Sequence, residues 1–320
     1  GVDACTYNYM GDTELYPKSE KASVLSRAVI KLGGSHQAYA EVALSRAKTD
    51  YTGSSARVAG YVDYSRVPQL AGTGLDGLDD DIPGELELRM RLNEAGQRTS
   101  TLTSEGVRVV VGVTGTVGGW DYDTAYNHSV NTVKDRDTHG YLLYNELLEG
   151  IADGRINPFG PSSPEGRALI DSIQVDDVVR RARGTLDAVD VKLSRALMPM
   201  AGGDLAVAIG GEARREKNQF TPSALLLSDN INNDAAPEGG RATSDSRDVA
   251  AVYGEVLVPF AKQWEAQLSA RYDYACVDSP DELDDHARGV TVNGQIKTSG
   301  TRYEKDDRRP LADRSTWVLG

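Results

Sequence analysis

The chain is poor in cysteine and phenylalanine, with two of the first and three of the second in 320 residues. Cys5 and Cys276 lie far apart and form no C-x-x-C pattern, so a zinc site is unsupported and both read as incidental thiols. No apolar run reaches about 18 residues, which excludes a transmembrane helix. Positive charge is short. At a net charge of −13 the chain lacks the cationic footprint that nucleic-acid phosphates demand, and no nucleic-acid partner is expected. The opening GVDACTYNYM has no basic segment followed by an apolar one, so a signal peptide reads as absent or already removed. His36, His128, His139 and His286 are scattered, and no nucleophile elbow, metal-protease helix or phosphate loop occurs. The expectation is a non-enzyme with no cofactor and no metal site.

What the chain has is alternation. In Gln263–Ala275 (QWEAQLSARYDYA), Trp264, Ala266, Leu268, Ala270, Tyr272 and Tyr274 share one face. Glu265, Gln267, Ser269, Arg271 and Asp273 share the other. A period of 2 is a strand with one dry and one wet face. Trp120–Val130, Leu205–Arg214, Val107–Thr114 and Val189–Arg195 repeat the pattern, and Ala22–Leu32, Tyr39–Ala47 and Val249–Phe260 follow it less cleanly. Short turns rich in glycine join these strands in pairs, at Leu32–His36, Val117–Gly119 and Met200–Asp204, with Pro259–Lys262 joining the last pair. Long polar connections, about 51–100, 135–180 and 218–246, separate the pairs. Gly84–Leu92 alternates but breaks the up-down parity as a spanning strand, so it reads as strand extending above the spanning region, within the loop. Tyr141–Ala152 has helical spacing in Leu143, Leu147 and Ile151.

Short turns at one end and long loops at the other are the layout of an antiparallel transmembrane β-barrel. Trp264 to Tyr274 spans about 33 Å of strand, which a tilt of about 40° projects to about 25 Å, the height of such a barrel's apolar band. Trp120, Tyr122, Trp264, Tyr272 and Tyr274 are the candidate membrane-interface aromatics, with both tryptophans at the periplasmic level. Asp121, Asp123, Glu212, Arg214, Glu255, Arg271 and Asp273 are the candidate lumen-facing residues; they are expected chiefly to pair with one another across strands. A soluble antiparallel sheet would alternate too, so a soluble or surface-exposed β-rich binding module stays open, as does a passive porin-like channel. Ligand contacts are expected in the loops near 51–83, 135–180 and 218–246.

Weaker signals point elsewhere. Gly72–Gly77 matches G-x-G-x-x-G literally, but Pro68 precedes it and acidic residues follow, so a loop is expected rather than a nucleotide site. Asp76, Asp79, Asp80 and Asp81 lack the spacing of a calcium loop, and Asp281, Glu282, Asp284 and Asp285 read likewise as solvated charge.

Several phrases in order carry a family resemblance: Gly119-Trp120-Asp121-Tyr122-Asp123, Gly154–Gly160 (GRINPFG), Gly210–Glu216 (GGEARRE), Ser246-Arg247 with Val252–Pro259 (VYGEVLVP), and Ala270–Asp273 (ARYD). Over residues 1–276 the chain resembles the middle of the β-barrel of TonB-dependent outer-membrane receptors. The resemblance implies a Gram-negative outer membrane and active uptake of a scarce solute: a siderophore, vitamin or oligosaccharide. It implies outer-membrane lipid, a plug domain and the TonB energy-coupling complex as partners. No plug sequence is seen, about eight strands stand against the family's 22, and residues 277–320 do not match. Only Val290–Lys297 there reads as a hairpin, around an Asn-Gly turn. Cys5 resembles a loop cysteine whose partner in the family lies upstream. The expectation is a partial barrel that is not transport-competent by itself.

Overall fold

In the computed structural model, residues 8–63, 67–70, 85–236, 240–278, 285–292 and 295–300 are described. They form one antiparallel sheet of ten strands in chain order. The strands are β1 (Lys18–Gly33), β2 (His36–Asp63), β3 (Glu85–Val117), β4 (Trp120–His139) and β5 (Asp177–Pro199). Then come β6 (Asp204–Pro222), β7 (Thr243–Ala261), β8 (Trp264–Asp278), β9 (Asp285–Val292) and β10 (Gln295–Gly300). Three short helices lie between strands: α1 (Tyr144–Ala152), α2 (Pro164–Ser172) and α3 (Ala224–Leu227). The fold is therefore all-β. Among the described residues β1 and β10 pair on one side only, so closure of the sheet is not seen. The expected hairpin falls at the end of β9 and the start of β10, where Val292 faces Gln295. Its Asn293-Gly294 turn lies outside the described residues, as do Cys5, Gly72–Gly77, Asp76, Asp79–Asp81 and the acidic residues Asp281, Glu282 and Asp284.

The four tight turns stand at one end of the sheet. Gly33, Gly34, Gly118 and Gly119 all take positive φ there, a region open to glycine because it has no Cβ. The register is sheared. Arg27, Glu41, Val110, Asn127, Ala188, Arg214, Val249 and Ala275 lie in one ladder row. From that row the turn end of the strand is five residues away on β2, at His36, seven on β3, at Val117, eleven on β5, at Pro199, and twelve on β7, at Ala261. The descent lengthens across the sheet, which is the stagger that tilted strands need.

Measured from the turns, the apolar face spans eight to ten residues on β3, β6, β7 and β8. It runs from Val117 to Val107 on β3, where Glu105 is the next residue on that face. It runs from Leu205 to Ala213 on β6 before Arg215, and from Val258 to Ala250 on β7 before Asp248. On β2 it ends at Leu44 before Arg46, and on β8 it spans Trp264 to Tyr274. Arg195 is the one cation within this band on β5, at the turn end beside Gly119. These apolar side chains are open to the surroundings: Val252, Leu268 and Trp264 are all exposed by more than three-fifths.

The loop end is a different structure. The connections do not begin where polar composition suggested: β2 continues to Asp63, and β3 starts at Glu85 and pairs with it, Leu92 facing Ala56 and Leu86 facing Val62. Gly84–Leu92 is thus the expected extension, with Gly84 itself outside the described residues. Alternation fails over Ser54–Val58 because Ser54, Ser55, Ala56 and Val58 are all buried. A cap covers this hairpin. Leu147 and Ile151 of α1, Ile170 of α2, Leu142, Ile156 and Ile173 pack on Ala56, Val58, Val62, Leu88 and Leu92. α1 is the expected helix, beginning at Tyr144 rather than Tyr141. α2 starts at Pro164 with Ser163 as its cap, whose Oγ accepts from the Gly166 amide at 3.1 Å. A second cluster joins Val175, Val179, Leu226 and Ile231.

Candidate functional site

The seven residues expected in the lumen share the face opposite the apolar band. Asp121 and Glu255 occupy one row, Asp123 and Arg271 the next, Glu212 and Asp273 the third, and Arg214 the fourth. Asp123, Glu212, Arg214 and Arg271 help line an open trough of about 550 Å³, with Tyr39, Tyr253, Arg27 and Asp190. The charges pair largely with one another. Arg214 Nη1 donates to Glu212 Oε1 at 2.5 Å and Nε to Glu216 Oε1 at 2.7 Å. Arg271 Nε donates to Asp273 Oδ1 at 3.0 Å, and its Nη2 reaches Glu212 Oε2 at 3.2 Å. This last contact passes from β8 to β6 over Ala251, a buried residue of β7 small enough to leave the path clear. Asp121 accepts from Thr116 Oγ1 at 2.7 Å and Glu255 from Gln267 Nε2 at 2.5 Å.

Two tyrosines lie flat on this wall. Tyr39 Oη donates to Asp123 Oδ1 at 3.0 Å, from β2 to β4 across Gly112. A Cβ on Gly112 would stand 2.4 Å from the Tyr39 ring, and one on Gly210 would stand 2.2 Å from the Tyr253 ring. Arg27 stacks over Tyr39 at 4.8 Å and Arg271 over Tyr253 at 5.9 Å. Each stack is a glycine, an aromatic and a guanidinium in layers. Asp190 faces the same trough and, among the described residues, makes no ion pair. Val189 and Val191 on either side had already placed it on the polar face. Toward the loop end the wall becomes small and polar, with Ser45, Ser104, Asn131, Gly184, Asn218 and Asp245 around an open hollow of about 800 Å³.

Of the aromatics expected at an interface, Trp120 and Trp264 begin their strands directly after turns. Tyr122 shares their face and meets His36 Nδ1 at 3.0 Å. Tyr272 and Tyr274 stand exposed at the far edge of the apolar band.

The mouth of the trough holds a cluster that composition gave no sign of. Arg180 donates through Nη1 to Asp234 Oδ2 at 2.9 Å and to Asp135 Oδ2 at 3.3 Å, while Nη2 engages Asp234 Oδ1 and the Ala235 carbonyl. Asp137 stands beside them, 2% exposed, and its Oδ2 has no partner. Burial, then the charges of Asp234 and Asp135, push its pKa up to about 7, against the opposing pull of Arg180. Once protonated, the carboxyl is a donor toward Asp234, which resolves the orphaned oxygen. The segment Asp229–Asp234 (DNINND) ties the cap together. Asn233 Oδ1 accepts from the Arg57 amide at 2.6 Å and its Nδ2 donates to the Arg57 carbonyl at 2.7 Å. Its φ of 68° is one that asparagine tolerates. The signal in the sequence was this asparagine cluster around a single Ile231, inside the region expected to hold ligand contacts. Among the described residues no group of three or more His, Cys, Asp or Glu could hold a metal ion.

No family model matches the chain, and no curated protein or solved structure does.

Proposed function

We propose that the chain is part of an outer-membrane β-barrel that takes up a scarce solute, of the TonB-dependent receptor kind. The observation that carries this reading is the exposed apolar face, which spans eight to ten residues above the turns on β3, β6, β7 and β8. A soluble sheet buries its apolar face on a core. Here that face carries no covering layer among the described residues; its far end follows one ladder row on β2 and β3, at Leu44 and Val107, and a second row nearer the turns on β6, β7 and β8, at Ala213, Ala250 and Tyr274. Eight to ten residues at about 3.3 Å, tilted about 40°, give about 20–25 Å, close to the apolar band of about 25 Å of an outer-membrane barrel. Lipid would meet this face, and the charged trough would be the lumen wall. A solute would enter past the cap and the polar hollow, and the paired charges below would meet either that solute or a plug. The receptor phrases in the sequence favour gated uptake over a passive pore.

The test is tryptophan fluorescence with circular dichroism, on refolded chain, with and without phosphatidylcholine vesicles. A blue shift of Trp120 and Trp264 with strand signal only in lipid is expected. A folded, blue-shifted β-protein in plain buffer, indifferent to lipid, would replace this reading with a soluble module.

A further inference from the structure

The acidic chain carries an unexpected basic patch. On the same outward face, four residues beyond Ala213 on β6 and six and eight beyond Val189 on β5, stand Lys217, Arg183 and Arg181. All three are exposed, and none makes an ion pair among the described residues. Arg181 and Arg183 are two apart on one strand, about 7 Å. Lys217 faces Thr185, so it lies diagonal to Arg183, again about 7–8 Å away. Thr221 and Gln219 sit opposite the two arginines and add hydrogen-bonding side chains. The nearby acids are already occupied: Asp187 accepts from Tyr126 Oη at 2.6 Å and meets His128 Nδ1 at 2.7 Å, and Asp248 pairs with Arg215 at 3.5 Å. The patch thus has cations to spare on a chain of net charge −13.

We propose that Arg181, Arg183 and Lys217 form a docking surface for the phosphorylated headgroup of an outer-leaflet glycolipid carrying two phosphates. Charge complementarity and a position beyond the apolar face select this occupant. On the adjacent β4 the apolar face ends at Val130, and Arg183 is level with Thr132, the next residue of that face; this is the level of headgroups if the face meets lipid, so the inference rests on the barrel reading above. Arginine and lysine near an anionic surface each contribute to such binding, and arginine also offers a bidentate fork to phosphate.

The experiment inserts the full chain into phosphatidylcholine vesicles, alone and with diphosphoryl lipid A, phosphatidylglycerol or inorganic phosphate at equal phosphate. Thermal midpoint and retained glycolipid are read. The variant is Arg181→Gln/Arg183→Gln/Lys217→Gln, with Arg195→Gln at the opposite end as a control cation. Lipid A should raise the midpoint of the native chain more than phosphatidylglycerol does. The triple variant should insert normally into phosphatidylcholine yet bind lipid A on the order of a hundredfold more weakly. Arg195→Gln should match the native chain. An equal lipid A effect in the triple variant, or the same rise with inorganic phosphate, overturns the proposal while leaving the barrel reading intact. Failure of the native chain to insert into phosphatidylcholine removes both.

Discussion

Asp137 is a carboxyl placed where ionisation is costly. An unfolded aspartate ionises near pH 4, whereas in the fold its value stands at about 7. Between those values the folded chain holds a proton that the unfolded chain has released. Stability is therefore greatest below the window and falls as pH rises through it. Melting followed from about pH 4.5 to pH 8 should show that fall, and Asp137→Asn should flatten it and raise stability at pH 8. An unchanged slope in the variant would assign the pH dependence elsewhere. Gly210 tests the layered stacks. A methyl there displaces the Tyr253 ring and with it the Arg271 contact, so Gly210→Ala should cost about 1–3 kcal/mol. In a cycle with Tyr253→Ala that cost should largely vanish, and additivity would mean that the ring had never rested on the glycine.

At the scale of elements, legibility followed the environment. Strands with one face toward the surroundings and one toward polar neighbours keep a period of 2, and Trp264–Tyr274 or Val107–Thr114 could be read directly. The upper halves of β2 and β3 could not. Ser54, Ser55 and Ala56 are buried on consecutive residues, and the Asn93–Gly96 bulge carries Glu94 out to Ser162, whose Oγ donates to it at 2.5 Å. Those positions answer to tertiary partners far along the chain, which no local period records. The cluster at Asp137 was hidden for the same reason: Asp135, Arg180 and Asp234 meet only when β4, β5 and the loop after α3 are assembled. The seven lumen candidates were legible as a face but not as a network, since Arg271 of β8 reaches Glu212 of β6 across the intervening strand, over Ala251. The cap is dry enough to test as an element. Leu147 is fully buried, and Leu147→Ala should cost about 2–5 kcal/mol. Amide exchange should rise first in α1 and in Ala56–Val62, with the lower strands little changed. Uniform loosening would deny the cap its independence.

For the whole molecule the open edge dominates. β1 is exposed along all sixteen residues, with Val24, Leu25, Val29 and Ile30 among them, and one row of its backbone groups lacks a strand partner among the described residues. Such an edge recruits other strands. The isolated chain should self-associate in buffer, seen as a concentration-dependent mass by light scattering. Ala22→Lys with Ala28→Lys should reduce it by placing charge along the edge. A monodisperse native monomer would mean that the edge is satisfied within the chain.

The clasp between Asn233 and Arg57 joins residues 176 apart in sequence. Closing so long a loop costs conformational entropy that only the completed contact returns. The clasp cannot form until β2 through β6 are in register, so it belongs to the last steps of folding. Removing it with Asn233→Ala would then speed unfolding and leave the folding rate nearly unchanged, making the cap a latch on the finished sheet and no part of its nucleus.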